Sequence, residues 1–158
     1  MAIKAKDIMA TKVVTISPDD TVSTLAKLLN ENRITGVPVV ENNKIVGVIS
    51  GTDVIKRCDY VSKELARFED EAEYDPFDGC IHVHRYYTEE LFNMKIRNLM
   101  STPAYTMSPE DDIKDICKLM ADKRVHRVTI AVDNEVVGLI ATMDIVKLVA
   151  QGKFEIKM

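Results

Sequence analysis

The apolar positions of this chain change period in a fixed order, and that order occurs twice. Val13 to Ile16 is a short β-rich run. It ends at Ser17-Pro18-Asp19-Asp20, where Ser suits a helix cap, Pro its first position, and the acids the positive end of its dipole. Val22, Leu25, Ala26 and Leu29 then fall at i, i+3, i+4 and i+7, which predicts one helix face. Two strands are expected next, Gly36 to Glu41 and Lys44 to Ile49, joined at Asn42-Asn43, residues that tolerate the positive φ of a tight hairpin turn. A last helix starts near Ser50. The scheme returns with Ser108-Pro109-Glu110-Asp111, then Ile113, Ile116, Cys117 and Met120, then Val128 to Val132 and Glu135 to Ile140 around Asp133-Asn134, then a helix near Ala141. The predicted unit is β-α-β-β-α, twice, a mixed α/β (α+β) fold.

Residue identities follow the same register. With Met9 set against Met100, the segment Asp7 to Lys56 aligns with its duplicate without a gap, and about 16 of its 50 residues are identical where residue frequencies give about 3. Arg33 meets Arg124, Gly47 meets Gly138, Asp53 meets Asp144 and Lys56 meets Lys147. A duplication implies two similar halves about a pseudo-two-fold axis, with two similar clefts. The expected organisation is residues 1–58, an insertion over 59–95, residues 96–152, and a tail over 153–158.

Composition narrows the class. The 158 residues are 46% hydrophobic and 29% charged, enough apolar material for a packed core. A net charge of −4 argues against a broad nucleic-acid surface, which needs clustered Lys and Arg. No apolar run approaches the roughly 20 residues of a membrane span. Met1 to Met9 has no apolar core of a secretory signal. Cys58, Cys80 and Cys117 are an odd, widely spaced set that reads as reduced thiols, and the expected location is cytoplasmic.

The motifs become specific in combination. Asp7-Ile8-Met9, Thr15-Ile16-Ser17-Pro18, Gly36-Val37-Pro38-Val39-Val40 and Gly47-Val48-Ile49-Ser50-Gly51-Thr52-Asp53 together resemble one cystathionine-β-synthase-type (CBS) motif. Leu99-Met100, Ser108-Pro109, Val125-His126-Arg127-Val128 and Gly138-Leu139-Ile140-Ala141-Thr142-Met143-Asp144 resemble a second. The resemblance implies a compact pair of motifs with two clefts for AMP, ADP, ATP or S-adenosylmethionine. It also implies a homodimer, no required cofactor, and a regulated protein partner.

The resemblance further implies a ligand-binding set of Thr15, Gly36, Pro38, Ser50, Thr52 and Asp53 in the first repeat. In the second it implies Thr106, His126, Arg127, Thr129, Thr142 and Asp144. Asp53 and Asp144 would accept from ribose hydroxyls, since a carboxylate offers two acceptor oxygens to two vicinal donors. Ser50 and Thr52 would face phosphate at a helix N-terminus. The alternative for Ser50-x-x-Asp53 is a helix cap, and the two roles are compatible. Ala141 stands where Ser or Thr is expected. His126 and Arg127 resemble a phosphate-contacting dipeptide of nucleotide-sensing kinase subunits, and Arg offers bidentate donors. Thr35 and Gly36 stand at those positions in the first repeat, so the two sites should differ in phosphate preference. Pro38 against Thr129 distinguishes their walls again.

In the insertion, Val61, Leu65, Phe68 and Ala72 have helical spacing, and Glu69 to Asp78 is an acidic stretch that reads as solvated surface. Cys80, His82 and His84 would share one strand face as candidate zinc ligands. No fourth ligand stands at a recognisable spacing, so the reading is a polar strand face and no metal site.

The function these features point to is non-catalytic regulation through adenosine-nucleotide binding, without nucleic acid or membrane. The chain contains no Walker A loop, Gly-x-Ser-x-Gly, Rossmann fingerprint or HExxH. The alternative is a structural dimerisation module with non-functional clefts.

Overall fold

The computed structural model describes residues 3–66 and 89–153. In chain order the elements are α1 (Val22–Asn32), β1 (Gly36–Glu41), β2 (Lys44–Ser50), α2 (Gly51–Ala66), β3 (Thr106–Met107), α3 (Ile113–Lys123), β4 (Arg127–Val132), β5 (Glu135–Ala141) and α4 (Thr142–Ala150). Single 3-10 turns stand at Ala5–Asp7 and Ile96–Asn98, and residues 89–93 are helical.

The two hairpins form where their turn residues direct. Asn42 and Asn43 have φ of 50° and 63°, and Asp133 and Asn134 of 49° and 65°, the paired left-handed conformations that suit a two-residue hairpin. In the second repeat the sheet order is β3-β4-β5, with β3 parallel and β5 antiparallel to β4. In the first, β1 pairs with β2, and the β-rich run before α1 contributes one parallel bridge, Ile16 to Val39. A strand over Val13 to Ile16 was expected; beyond that bridge the segment lacks a ladder.

The chain divides into two compact units, and neither is one repeat. Unit 1 comprises Met1–Val14, Glu41–Ile45 and Pro103–Met158; unit 2 comprises Thr15–Val40 and Val46–Thr102. Each unit is therefore completed by the arm that precedes the other repeat. In unit 1, Ala10 exchanges backbone hydrogen bonds with Leu139 of β5 at 2.9 and 3.0 Å. In unit 2, Ser101 does the same with Val48 of β2 at 2.9 and 3.0 Å.

This exchange corrects the expected role of the Ser-Pro-x-Asp segments. The helices do not start at Pro18 or Pro109. They start at Val22 and Ile113, and their caps are Thr21 and Asp112, whose side chains accept from the N–H groups of Thr24 and Lys114. Ser17 to Asp20 is instead a turn closed by the Asp20 carboxylate on the Ser17 N–H at 2.9 Å, and Asp111 closes its duplicate on Ser108 at 2.7 Å. The carbonyls these turns present receive the arms. Ala5 and Lys6 donate to Asp111 and Pro109; Ile96 and Arg97 donate to Asp20 and Pro18.

The core of unit 1 is Ala5, Ile113, Ile116, Met120, Val128, Ile130 and Ile140. In unit 2 the buried residues include Ile16, Val22, Leu25, Val37, Val39, Ile49 and Ile96. Of the predicted α1 face, Val22 and Leu25 are buried and Leu29 half-buried, but Ala26 is exposed. Val61 and Leu65 belong to α2 itself, which runs unbroken to Ala66. Phe68, Ala72, the acidic stretch, Cys80, His82 and His84 lie outside the described residues.

Candidate functional site

Strand register gathers the candidate residues of the second repeat at one end of the β3-β4-β5 sheet. Arg127 pairs with Ala141, Thr129 with Leu139, and Thr106 with Thr129. Val128, Ile130 and Ile140 face the core, so by alternation Arg127, Thr129, Thr106 and Ala141 share the opposite face. Thr129 is 2% exposed, Arg127 half-buried, and Thr106 and His126 exposed. Burial pushes the Arg127 guanidinium down from its ordinary value, yet that value is so high that the side chain keeps its charge.

At the same sheet end α4 begins. The Thr142 N–H donates to the His126 carbonyl at 2.9 Å, and its hydroxyl reaches the same oxygen at 3.1 Å. Asp144 turns back on the helix start, where one carboxylate oxygen accepts from the Ala141 N–H at 2.9 Å. Its other oxygen lies 3.9 Å from Lys147 Nζ.

Unit 2 builds the same arrangement with different side chains. The Gly51 N–H donates to the Thr35 carbonyl at 3.0 Å. Ser50 gives both its N–H (2.8 Å) and its hydroxyl (2.7 Å) to one oxygen of Asp53. Ser101 donates its hydroxyl to the other oxygen at 3.2 Å. Both carboxylates thus perform the helix-capping role, and Asp53 carries more partners than Asp144. Gly36 and Pro38 are buried in β1, whereas Thr15 and Thr52 are exposed.

Asp144 also opens onto a cavity of about 430 Å³, within the range of small-ligand sites. One wall is the arm, through Ile3, Asp7 and Ile8. The other is α4 and the residues after it, through Lys147, Leu148, Gln151 and Lys153. Of the predicted ligand residues of this repeat, Asp144 is the one that lines it; Thr106, His126, Arg127, Thr129 and Thr142 do not. Lys147 and Lys153 are the cations sequence reading passed over. The match of Lys56 to Lys147 across the repeat, three residues after each Asp, was the signal available for Lys147. Among the described residues no group of three or more His, Cys, Asp and Glu could hold a metal ion. No described helix is long and apolar enough to cross a membrane.

Comparison with known proteins agrees with this architecture. The CBS domain family model matches residues 5–60 and 96–151. Protein MJ1232 of Methanocaldococcus jannaschii is 31% identical over 153 residues, 96% of this chain. The chain spans 41% of that relative's length and 44% of a second from the same organism, MJ0188. Among solved structures, CBSX2 in complex with AMP superposes with a TM-score of 0.69 at 19% identity, covering 96% of this chain and 98% of that one. The CBS domain pair of protein MJ0100, in complex with methylthioadenosine and S-adenosyl-L-methionine, gives 0.69 at 18% identity, covering 98% and 100%. With a matching motif in each repeat and the mixed helix-and-strand fold of such pairs, the chain belongs to the CBS domain family.

Proposed function

We propose that this chain is a non-catalytic regulatory module that binds an adenosine nucleotide, AMP, ADP or ATP ahead of S-adenosylmethionine, and passes the signal to a protein partner. The observation that carries this reading is the position of Asp144. Its carboxylate is fixed at a helix start, faces a cavity of ligand size, and has lysines on the same wall. A nucleotide offers two vicinal hydroxyls for the carboxylate and an anionic group for the lysines. The ligands named for CBSX2 and MJ0100 support the adenosyl class. Binding acts by linkage: a ligand shifts a conformational equilibrium by its differential affinity for the two states.

A second reading, a dimerisation module without working clefts, is favoured by the three hydrogen bonds already on the Asp53 carboxylate and by exposed apolar residues on α2 and α4, Ile55, Met143 and Val146. Self-association through those helices fits either reading. A thermal-shift screen against AMP, ADP, ATP, S-adenosylmethionine and GTP separates them. At about a hundredfold excess over Kd, a ligand stabilises the native state by roughly 2.7 kcal/mol, several degrees in this size range. A shift with an adenosine compound that is lost in Asp144→Ala supports the sensor. No shift with any compound, in nucleotide-free protein, leaves the dimerisation module.

A further inference from the structure

The cavity of unit 1 has walls from the two extremes of the described chain, and that construction has a regulatory consequence. The arm is held by backbone hydrogen bonds, by the Lys6–Glu110 ion pair at 2.7 Å, and by Ile3, Ile8 and Met9 packed on the unit 1 core. Ala5 and Lys6 donate to Asp111 and Pro109, Ile3 accepts from Ile113, and Ala10 pairs with Leu139. Ala5 is its fully buried side chain, whereas Ile3 and Ile8 are half-buried and turn apolar surface into the cavity. A short segment with one fully buried side chain can open locally without global unfolding.

The opposite wall is the end of α4. Leu148 is buried. After α4, Gly152 at φ +67° donates to Val149 and the Lys153 N–H donates to Leu148, at 3.0 and 3.2 Å. That pair of bonds is a Schellman ending, and it turns Lys153 back to line the cavity beside Lys147. The site therefore presents apolar surface and the Asp7 carboxylate, which accepts from the Lys4 N–H, on the arm, and cations on the helix beside the carboxylate of Asp144.

We infer that the nucleotide of unit 1 binds between these walls, its base against Ile3 and Ile8 and its phosphate on Lys147 and Lys153. Occupancy and docking of the arm are then one linked equilibrium. This deepens the nucleotide-sensor reading and rests on it. A molecule touching both walls binds only the docked state, so it lowers the population of undocked arm in proportion to its saturation. The output of the site is the state of residues 3–10, and the phosphate is what the helix reads.

The test is hydrogen exchange of the full chain with and without AMP, combined with AMP and adenosine affinities for Lys147→Ala/Lys153→Ala. Both lysines are exposed, so this variant keeps the fold. The expected result is at least tenfold slower exchange of the Ala5, Lys6 and Ala10 amides with AMP, measured against the core amide of Ile140. The lysine variant should lose at least tenfold in AMP affinity and stay within about twofold for adenosine. Gly152→Ala, which strains a left-handed position, should reproduce the loss for AMP. If AMP binds but arm exchange is unchanged, or the variant loses AMP and adenosine equally, the inference is wrong and the sensor reading survives. If no adenosine compound binds, both fall.

Discussion

Ser101 donates its hydroxyl to Asp53 at 3.2 Å, and the residue at the corresponding place in the duplicate, Ala10, offers Asp144 no such donor. Each arm is seated alike, Ser101 on Val48 and Ala10 on Leu139, so the difference is chemical and not positional. On the nucleotide reading proposed above, a ribose hydroxyl at Asp53 would share the carboxylate with Ser101, whereas one at Asp144 would meet no such donor. A hydrogen bond of this kind is worth about 1 kcal/mol net, or roughly a fivefold change in affinity. Ser101→Ala should tighten nucleotide binding in unit 2 by about that factor, measured by titration calorimetry with the unit 1 site disabled by Asp144→Ala. Ala10→Ser should weaken binding in unit 1. Unchanged affinity in both variants would remove the two carboxylates from the ligand site.

Gly47 and Gly138 hold the same position in the two repeats, yet an added methyl would meet different neighbours. At Gly47 it would lie 2.9 Å from the Ser101 carbonyl oxygen, which the Val48 N–H already holds at 3.0 Å, with Met100 Sδ, the counterpart of Met9, next at 3.0 Å. At Gly138 it would run into the side chain of Met9. Backbone gives way less readily than a thioether chain. Gly47→Ala should cost about 1–3 kcal/mol in urea unfolding, with little relief from Met100→Ala. Gly138→Ala should couple to Met9→Ala by more than about 0.5 kcal/mol in a double-mutant cycle. Equal coupling at both sites would contradict this account.

Arg33 and Arg124 end α1 and α3, each at φ 53°. Both helices close with Schellman-type bonds, Ile34 to Leu29 and Val125 to Met120, each at 3.0 Å. A non-glycine residue pays roughly 1–2 kcal/mol for this conformation, and glycine returns about 0.5–1 kcal/mol of that through its freer unfolded chain. Arg33→Gly and Arg124→Gly should each raise Tm by about 1–2 °C, while Arg→Ala at either site should not. A fall in Tm for the glycine variants would mean that the arginine side chains hold these ends in place.

What could be read from the sequence was what short-range chemistry decides. Asn42-Asn43 and Asp133-Asn134 direct their hairpins because the turn conformation is a property of the residues themselves. The repeat placed both helix starts, near Ser50 and Ala141, within one residue of Gly51 and Thr142. Ser17-Pro18-Asp19-Asp20 was misread because a turn and a helix cap want the same residues. The deciding partners, Ile96 and Arg97, come from the far repeat and donate to the turn's carbonyls. The cavity was hidden for the same reason. Nothing near Asp144 announces that Ile3 and Ile8 will form its opposite wall.

Two thiols give a check on burial that needs no ligand. Cys58 is exposed on α2, while Cys117 is half-buried on α3, where burial pushes its thiol above the ordinary range. The thiolate is the reactive form, so burial slows Cys117 in two ways, by holding its proton and by limiting access. In a Cys80→Ser background, iodoacetamide at about pH 8 should modify Cys58 first, followed by peptide mass spectrometry, with Cys117 catching up only in denaturant or at more alkaline pH. The folded chain keeps the Cys117 proton to a higher pH than the unfolded chain does. Its contribution to stability is therefore complete below the unfolded-state value and is lost as pH rises toward the folded one. Alkaline pH should thus speed Cys117 labelling. Labelling of Cys117 at the Cys58 rate near neutral pH would mean that α3 does not pack as described.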